Sequence, residues 1–342
     1  MELDLGTEER EILKVVRATA DRVGWSAPPA VCWAALDELG FLDVAVTDGS
    51  SGLHAACVAE ALGEALAPVS FGALVTCKAV LGEASPSSDL ALPLDNAAVQ
   101  AWRRGEIHTF GVGHELAPGE AIAEMLGEEL RFVLIHRSKN WLLLEGAQFK
   151  VLGPDPWAGS PGLVKVQWNE AEVGSSTIPI GDRDWNQLNV LLHTAELVGV
   201  MRETLRRTID YLRQREQFGR PIGSFQALQH RTVDIVGDLR ACEAMAEYAI
   251  WTWNDAEAGS SEADAWVQAS AGLVAEASTK LMRECFQFHG GIAMTAELWL
   301  HHWLRRATRL ASFQGGPSEH FVALGAALRQ GVRLEVPLTE SL

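Results

Sequence analysis

Apolar residues recur at three- and four-residue steps along most of the chain, and one central stretch breaks that rule. Near the start, Ile12, Val15, Val16 and Thr19 make one face of a helix, and Trp33, Leu36 and Leu39 extend the pattern to Gly40. Residues 56–66 read as an Ala-rich helix that stops before Pro68. In the C-terminal half, Leu191, Ala195, Val198, Leu205, Ile209 and Leu212 predict a long helix over 188–217. Gly219 and Pro221 stop it, and a second stripe runs from Phe225 through Leu228, Ile235, Leu239, Cys242 and Met245 to Ala249. A third helix carries Trp266, Ser270, Leu273, Ala277, Leu281 and Phe288, and a fourth covers 296–310. Pro317 opens a last one, with Phe321, Leu324 and Leu328 as its buried candidates. Long helices joined by short corners predict an antiparallel bundle.

Between about 107 and 180 the period changes. Residues 131–136 and 141–145 are apolar runs rich in β-formers, split by the polar gap Arg137-Ser-Lys-Asn140, and 163–168 alternate like a half-buried strand. The expected fold class is mainly α with a small antiparallel β domain. It comprises an N-terminal helical domain (1–105), a shortened middle β domain (106–182) and a C-terminal bundle (183–342), with a Ser/Pro/Asp-rich connector at 85–100.

Composition narrows the function classes. The chain has 342 residues, 48% of them hydrophobic, and a net charge of −17, which argues against a nucleic-acid partner and against anionic membranes. The start lacks the basic and apolar regions of a signal peptide, and no apolar run is long enough to span a bilayer. Cys32, Cys57, Cys77, Cys242 and Cys285 are scattered and odd in number, which fits buried thiols in a reducing, cytoplasmic compartment. His301-His302 is a poor metal pair, because adjacent helical positions diverge by about 100°. No metal site is expected.

Chemistry concentrates at the corner between the first two long helices. It reads Arg215-x-x-Phe218-Gly219-x-Pro221-Ile222-x-x-Phe225-Gln226-x-x-Gln229. Arg215, Gln217 and the amides of a helix end could hold a phosphate. A second motif, Gln287-x-x-Gly290-Gly291, ends the third helix. Both motifs, and the order α, β, α, resemble the acyl-CoA dehydrogenase family. Trp33-Ala-Ala-Leu-Asp-Glu-Leu-Gly-Phe-Leu and 62–69 resemble its first helical domain. The resemblance implies that Arg215, Gln217, Phe218, Phe225, Gln226, Gln287, Gly290 and Gly291 contact the FAD of an adjacent chain.

That family oxidises acyl-CoA esters. A Glu removes the α proton and the flavin takes the β hydride. Aligned on Ser318-Glu319, the base position holds Gly315, or Gln314 after a one-residue shift, and the family's alternative position holds Asn189. None of these is a base. Asp182, Asp184 and Glu319 are the nearby carboxylates left to a self-sufficient enzyme. Flavin-binding segments of the β domain are also missing. Gly111-Val-Gly-His-Glu-Leu-Ala-Pro-Gly119 is the nearest analogue of one, and Trp141 of another. Arg306 stands where the family's Arg-Asp-Ala has its Asp.

The resemblance therefore implies a non-catalytic subunit of a heteromeric acyl-CoA dehydrogenase, two of each chain, that shares FAD with a partner carrying the catalytic Glu. Mixed complexes in the family act on steroid side-chain CoA esters, and electron-transfer flavoprotein is the implied acceptor. A self-sufficient dehydrogenase and a flavin-free scaffold of the same fold are the alternatives.

Overall fold

The computed structural model describes residues 7–41, 52–83, 97–103, 106, 109–127, 129–138, 140–154, 163–172, 177–179, 184–256 and 260–334. The connector at 85–96, Asp182, and the boundaries at 105/106 and 182/183 lie outside them. Four N-terminal helices come first: α1 (Thr7–Val23), α2 (Pro29–Glu38), α3 (Gly52–Glu64) and α4 (Phe71–Glu83). A short α5 (Ala97–Arg103) takes up the last residues of the expected connector. On α1 the core face is Leu13, Val16, Thr19 and Ala20, so the expected Val15 is turned outward. Helix α4 has no apolar stripe to read, because it is buried all round from Phe71 to Leu81 apart from Lys78.

Seven strands follow: β1 (Phe110–Ala117), β2 (Glu120–Met125), β3 (Phe132–Arg137), β4 (Asn140–Glu145), β5 (Phe149–Pro154), β6 (Leu163–Trp168) and β7 (Thr177–Pro179). They form one sheet in the order β5-β6-β2-β1-β3-β4-β7. Five of its six pairings are antiparallel, but β1 and β3 run parallel, so the sheet is mixed. Alternation sorts the side chains. Phe110, Val112, Leu134, Trp141 and Leu143 face the helical core, while Val133, Ile135, Leu142, Leu144 and Val166 make a second core on the other side.

The C-terminal bundle contains α6 (Trp185–Gln214), α7 (Gln226–Asp255), α8 (Ser261–His289), α9 (Leu300–Ala311) and α10 (Pro317–Arg329). Helix α9 starts at Leu300, later than its apolar pattern suggests, and residues 295–299 form turns after a 3₁₀ turn over Gly290–Met294. Phe321 and Leu328, expected in the core, remain 40% and 45% exposed. Helices α3 and α6 cross with their backbones almost touching. A Cβ on Gly63 would lie 2.1 Å from the Glu196 carbonyl oxygen, and one on Gly199 would lie 2.1 Å from that of Glu60. Nothing larger than hydrogen fits either position.

Two charge clusters lock this packing. Arg202 of α6 donates to Glu60 and Glu64 of α3 and to Glu243 of α7. Deeper, Arg306 of α9 pairs with Glu196 of α6 and donates to the carbonyls of Ala67 at 3.0 Å and Val69 at 2.8 Å. Arg309 pairs with Glu124 of β2, which also accepts from Ser70. Burial opposes ionisation of Glu124, but Arg309 and His193 outweigh it and hold its carboxyl far below the usual range.

Two outcomes follow. Arg306→Ala leaves buried Glu196 with only the longer pairing to Arg309 at 3.6 Å and removes the donor to two carbonyls, and should cost about 3–5 kcal/mol in urea denaturation; a loss below about 1 kcal/mol would contradict the role given to this pair. Half-buried Glu247, beside the Arg202 cluster, is pushed up to about 7 by burial and by Glu60 and Glu243. The folded chain therefore holds its proton where the unfolded chain has released it. That stability is full below about 4.5 and is lost as pH rises through about 7. Glu247→Gln should gain about 1 kcal/mol over wild type at pH 8 and much less at pH 4.5, after allowance for solvent screening. An equal difference at both pH values would refute it.

Candidate functional site: an exposed corner and a filled junction

Arg215 is the C-cap of α6, with its N–H bonded to the Tyr211 carbonyl. The chain then makes a two-residue hairpin, pairing Glu216-Gln217 (β8) with Arg220-Pro221 (β9), before a 3₁₀ turn leads into α7. Phe218 and Gly219 form its tip, with φ of 55° and 77°. A left-handed phenylalanine costs about 1–2 kcal/mol, which the rest of the chain must offset. Phe218 at this tip is 91% exposed. Beneath it, the Arg220 guanidinium lies 4.1 Å over the Phe225 ring. Arg213, Arg215 and Arg220 thus cluster at one tip of a chain whose net charge is −17. Arg213 pairs with Asp210, whereas Arg215 is exposed and its guanidinium has no partner among the described residues.

The second motif sits at the same end. Gly290 caps α8 at φ 65°, and Tyr211 of α6 stacks on His289 with centroids 4.3 Å apart, which ties the two motifs together. Gln287, Gly290 and Gly291 are exposed, as are Gln217 and Gln226, with Phe225 half-buried between. Gly290 needs its positive φ. Gly291 has no positive φ, and a Cβ added there would meet no atom within 4 Å, so nothing among the described residues requires glycine at that position. An open glycine beside an unpaired arginine suits a phosphate-bearing cofactor approaching from outside. The corner could hold a phosphate group.

The expected base positions lie elsewhere. Asn189 is in the second turn of α6, while Arg215 follows its last, ~39 Å along the axis at 1.5 Å per residue. Asn189 and the turn Phe313–Gly315 do come together. His193 Nδ1 lies 2.8 Å from the Asn189 carbonyl oxygen, and Phe313 stacks flat on the His193 ring, with centroids 3.9 Å apart. Gly315 has φ 95°, and a Cβ there would lie 2.4 Å from Glu319 Cγ. Asp184 is spent as the N-cap of α6, accepting from Asn186 N at 3.0 Å. Glu319 is exposed in the first turn of α10. The Gly111–Gly119 segment is strand β1 and its hairpin turn rather than a flavin loop, and Trp141 is buried in β4. A groove of about 420 Å³ between α8, α9 and Pro317 is walled by Met282, Phe286 and Leu304 and has no carboxylate in its lining. Among the described residues no cluster of three or more His, Cys, Asp or Glu could hold a metal ion, and no helix is long and apolar enough to cross a membrane.

Sequence reasoning did not find Glu124, His193, Glu196, Arg309 or Phe313. One signal was available. Arg306 stands on the apolar stripe of α9, three residues from Trp303 and four from Leu310, and Glu196 stands likewise between Leu192 and Val200. Charges on apolar faces call for buried partners.

Residues 188–327 match the family described as Acyl-CoA dehydrogenase, C-terminal domain. Acyl-CoA dehydrogenase FadE34 of Mycobacterium tuberculosis is 30% identical over 210 residues, which are 61% of this chain and 29% of that protein. The chain spans less than half the length of this and the next curated relatives it matches. The crystal structure of the ChsE4-ChsE5 complex from Mycobacterium tuberculosis superposes with a TM-score of 0.77 at 20% identity, covering 96% of this chain and 99% of that one. A variant of the Tcur3481-Tcur3483 steroid ACAD gives a TM-score of 0.74 at 16% identity, covering 95% and 98%.

Gly315→Glu places a carboxylate at the expected base position but on a left-handed backbone. It should lower stability by about 1–2 kcal/mol and confer no acyl-CoA oxidation on the isolated chain. Thermal denaturation and a turnover assay check this; any turnover would contradict it.

Proposed function

We propose that this chain, which belongs to the acyl-CoA dehydrogenase family, acts as the non-catalytic member of a mixed assembly that dehydrogenates an acyl-CoA. The exposed corner carries the reading. A strained, 91%-exposed phenylalanine at a hairpin tip, beside an unpaired arginine, is arranged for something outside the chain. The ChsE4-ChsE5 neighbour is a complex of two named components, and the Tcur3481-Tcur3483 neighbour is named as a steroid ACAD, which supports a second dehydrogenase-type subunit and a steroid side-chain CoA ester.

In this reading Arg215 and Gln217 bind the phosphates of an FAD seated in the partner. Gln287 and the glycine pair Gly290-Gly291 close the other side, and Phe218 covers the adenosine end, with Phe225 and Gln226 holding the hairpin base. FAD, when bound, supplies the hydride acceptor. The partner contributes the Glu that takes the α proton and most of the acyl site. Two of each chain assemble in the cytoplasm, and electron-transfer flavoprotein reoxidises the flavin. The five cysteines are all free and buried, and burial pushes Cys57, Cys242 and Cys285 up to about 12, so they stay as thiols.

The test is co-purification with an acyl-CoA dehydrogenase homologue encoded beside this chain, with Arg215→Ala compared to wild type. Loss of one charge-assisted phosphate contact should weaken FAD retention about tenfold or more, read by dialysis and flavin absorbance. Unchanged retention would overturn the role of Arg215, and a flavin-free complex would leave only the scaffold reading.

A further inference from the structure

The Phe313–His193 stack is more than packing. His193 is held from both ring nitrogens: Nδ1 faces the Asn189 carbonyl oxygen at 2.8 Å and Nε2 faces Glu124 Oε2 at 3.0 Å. Both partners present acceptor oxygens to the ring. Glu124 is fixed in turn by Arg309 and Ser70. The result is a flat platform held at both edges, 3% exposed.

Phe313 lies on it at an interplanar angle of 3°, and His114 of β1 meets the Phe313 ring edge-on at 5.6 Å. Burial pushes His114 down to about 4, so it stays neutral there. The backbone of Phe313 is pinned as well, its carbonyl accepting from Gly316 N at 3.2 Å. Beside the platform, Asn189 Oδ1 is buried with no partner among the described residues. It shares a neighbour with the His193 ring: a Cβ on Gly72 would lie 2.8 Å from His193 Nδ1 and 3.0 Å from Asn189 Oδ1. A stacking face, an edge-on ring and an unsatisfied carboxamide are what a planar heteroaromatic ring with polar edges would use.

We infer that Phe313 is a built-in occupant of a ring-binding site on His193. Its side chain stands where a flavin ring would stack, and it shuts such a ring out of this chain's own junction. This deepens the reading above by explaining why flavin is left to the partner, and it rests on residues far from the Arg215 corner.

The experiment uses the full-length chain alone and lumiflavin as the probe, a ring without phosphate or adenosine, so that Arg215 plays no part. Phe313→Ala should quench lumiflavin fluorescence on binding, with affinity at least about tenfold above wild type, and adding His193→Ala should abolish the gain. If Phe313→Ala loses its circular dichroism signal, Phe313→Val is measured in the same way. Equal affinity in wild type and the folded variant, or a gain that survives loss of His193, would overturn the proposal. A negative result here leaves the Arg215 test intact, and the converse also holds.

Discussion

Two carboxylates and two guanidiniums buried together set the geometry of this molecule. Glu124 comes from the sheet, Glu196 from α6, and Arg306 and Arg309 from α9, while Arg306 also reaches the carbonyls of Ala67 and Val69 in the N-terminal region. Any one of these charges left alone at such depth would cost about 3–5 kcal/mol, a large share of the stability of a domain. Each is therefore tolerated only when all three regions of the chain are docked in one arrangement. The cluster's contribution is a single permitted fit of helices to sheet more than net stability.

That fit fixes α6, and α6 separates the two places where chemistry was sought. Its first turns carry Asn189 and His193 into the junction with the sheet, where Phe313 fills the space above the imidazole. Its last turn carries Tyr211 and Arg215 to the opposite end, beside the glycine pair that ends α8. A 30-residue helix is ~45 Å long. The corner and the junction thus cannot serve one reacting ring within this chain. The corner is charged, strained and open; the junction is aromatic and full.

Most of the fold was legible because its elements are amphipathic. The stripes of α6, α7 and α8 and the strands β3, β4 and β6 place Leu205, Leu239, Leu281, Leu134, Leu143 and Val166 in the interior where periodicity puts them. Legibility failed where burial is not one-sided. Helix α4 is apolar on every face, and the parallel pairing of β1 with β3 depends on a crossover that no local pattern encodes. Phe321 and Leu328 follow a helical stripe but lie at the surface, because apolar spacing does not tell which molecule will cover it. The corner motif was readable from residue types alone, whereas Phe313 was not: a lone aromatic two residues before a glycine pair gains meaning only once His193 is seen beneath it.

The shared-site account rests on one number, the flavin content of the assembled complex. Absorbance of the released cofactor, set against protein determined by amino-acid analysis, gives it directly. One FAD for each pair of unlike chains is the predicted value. Two per pair would place a flavin in this chain's own junction and contradict the account.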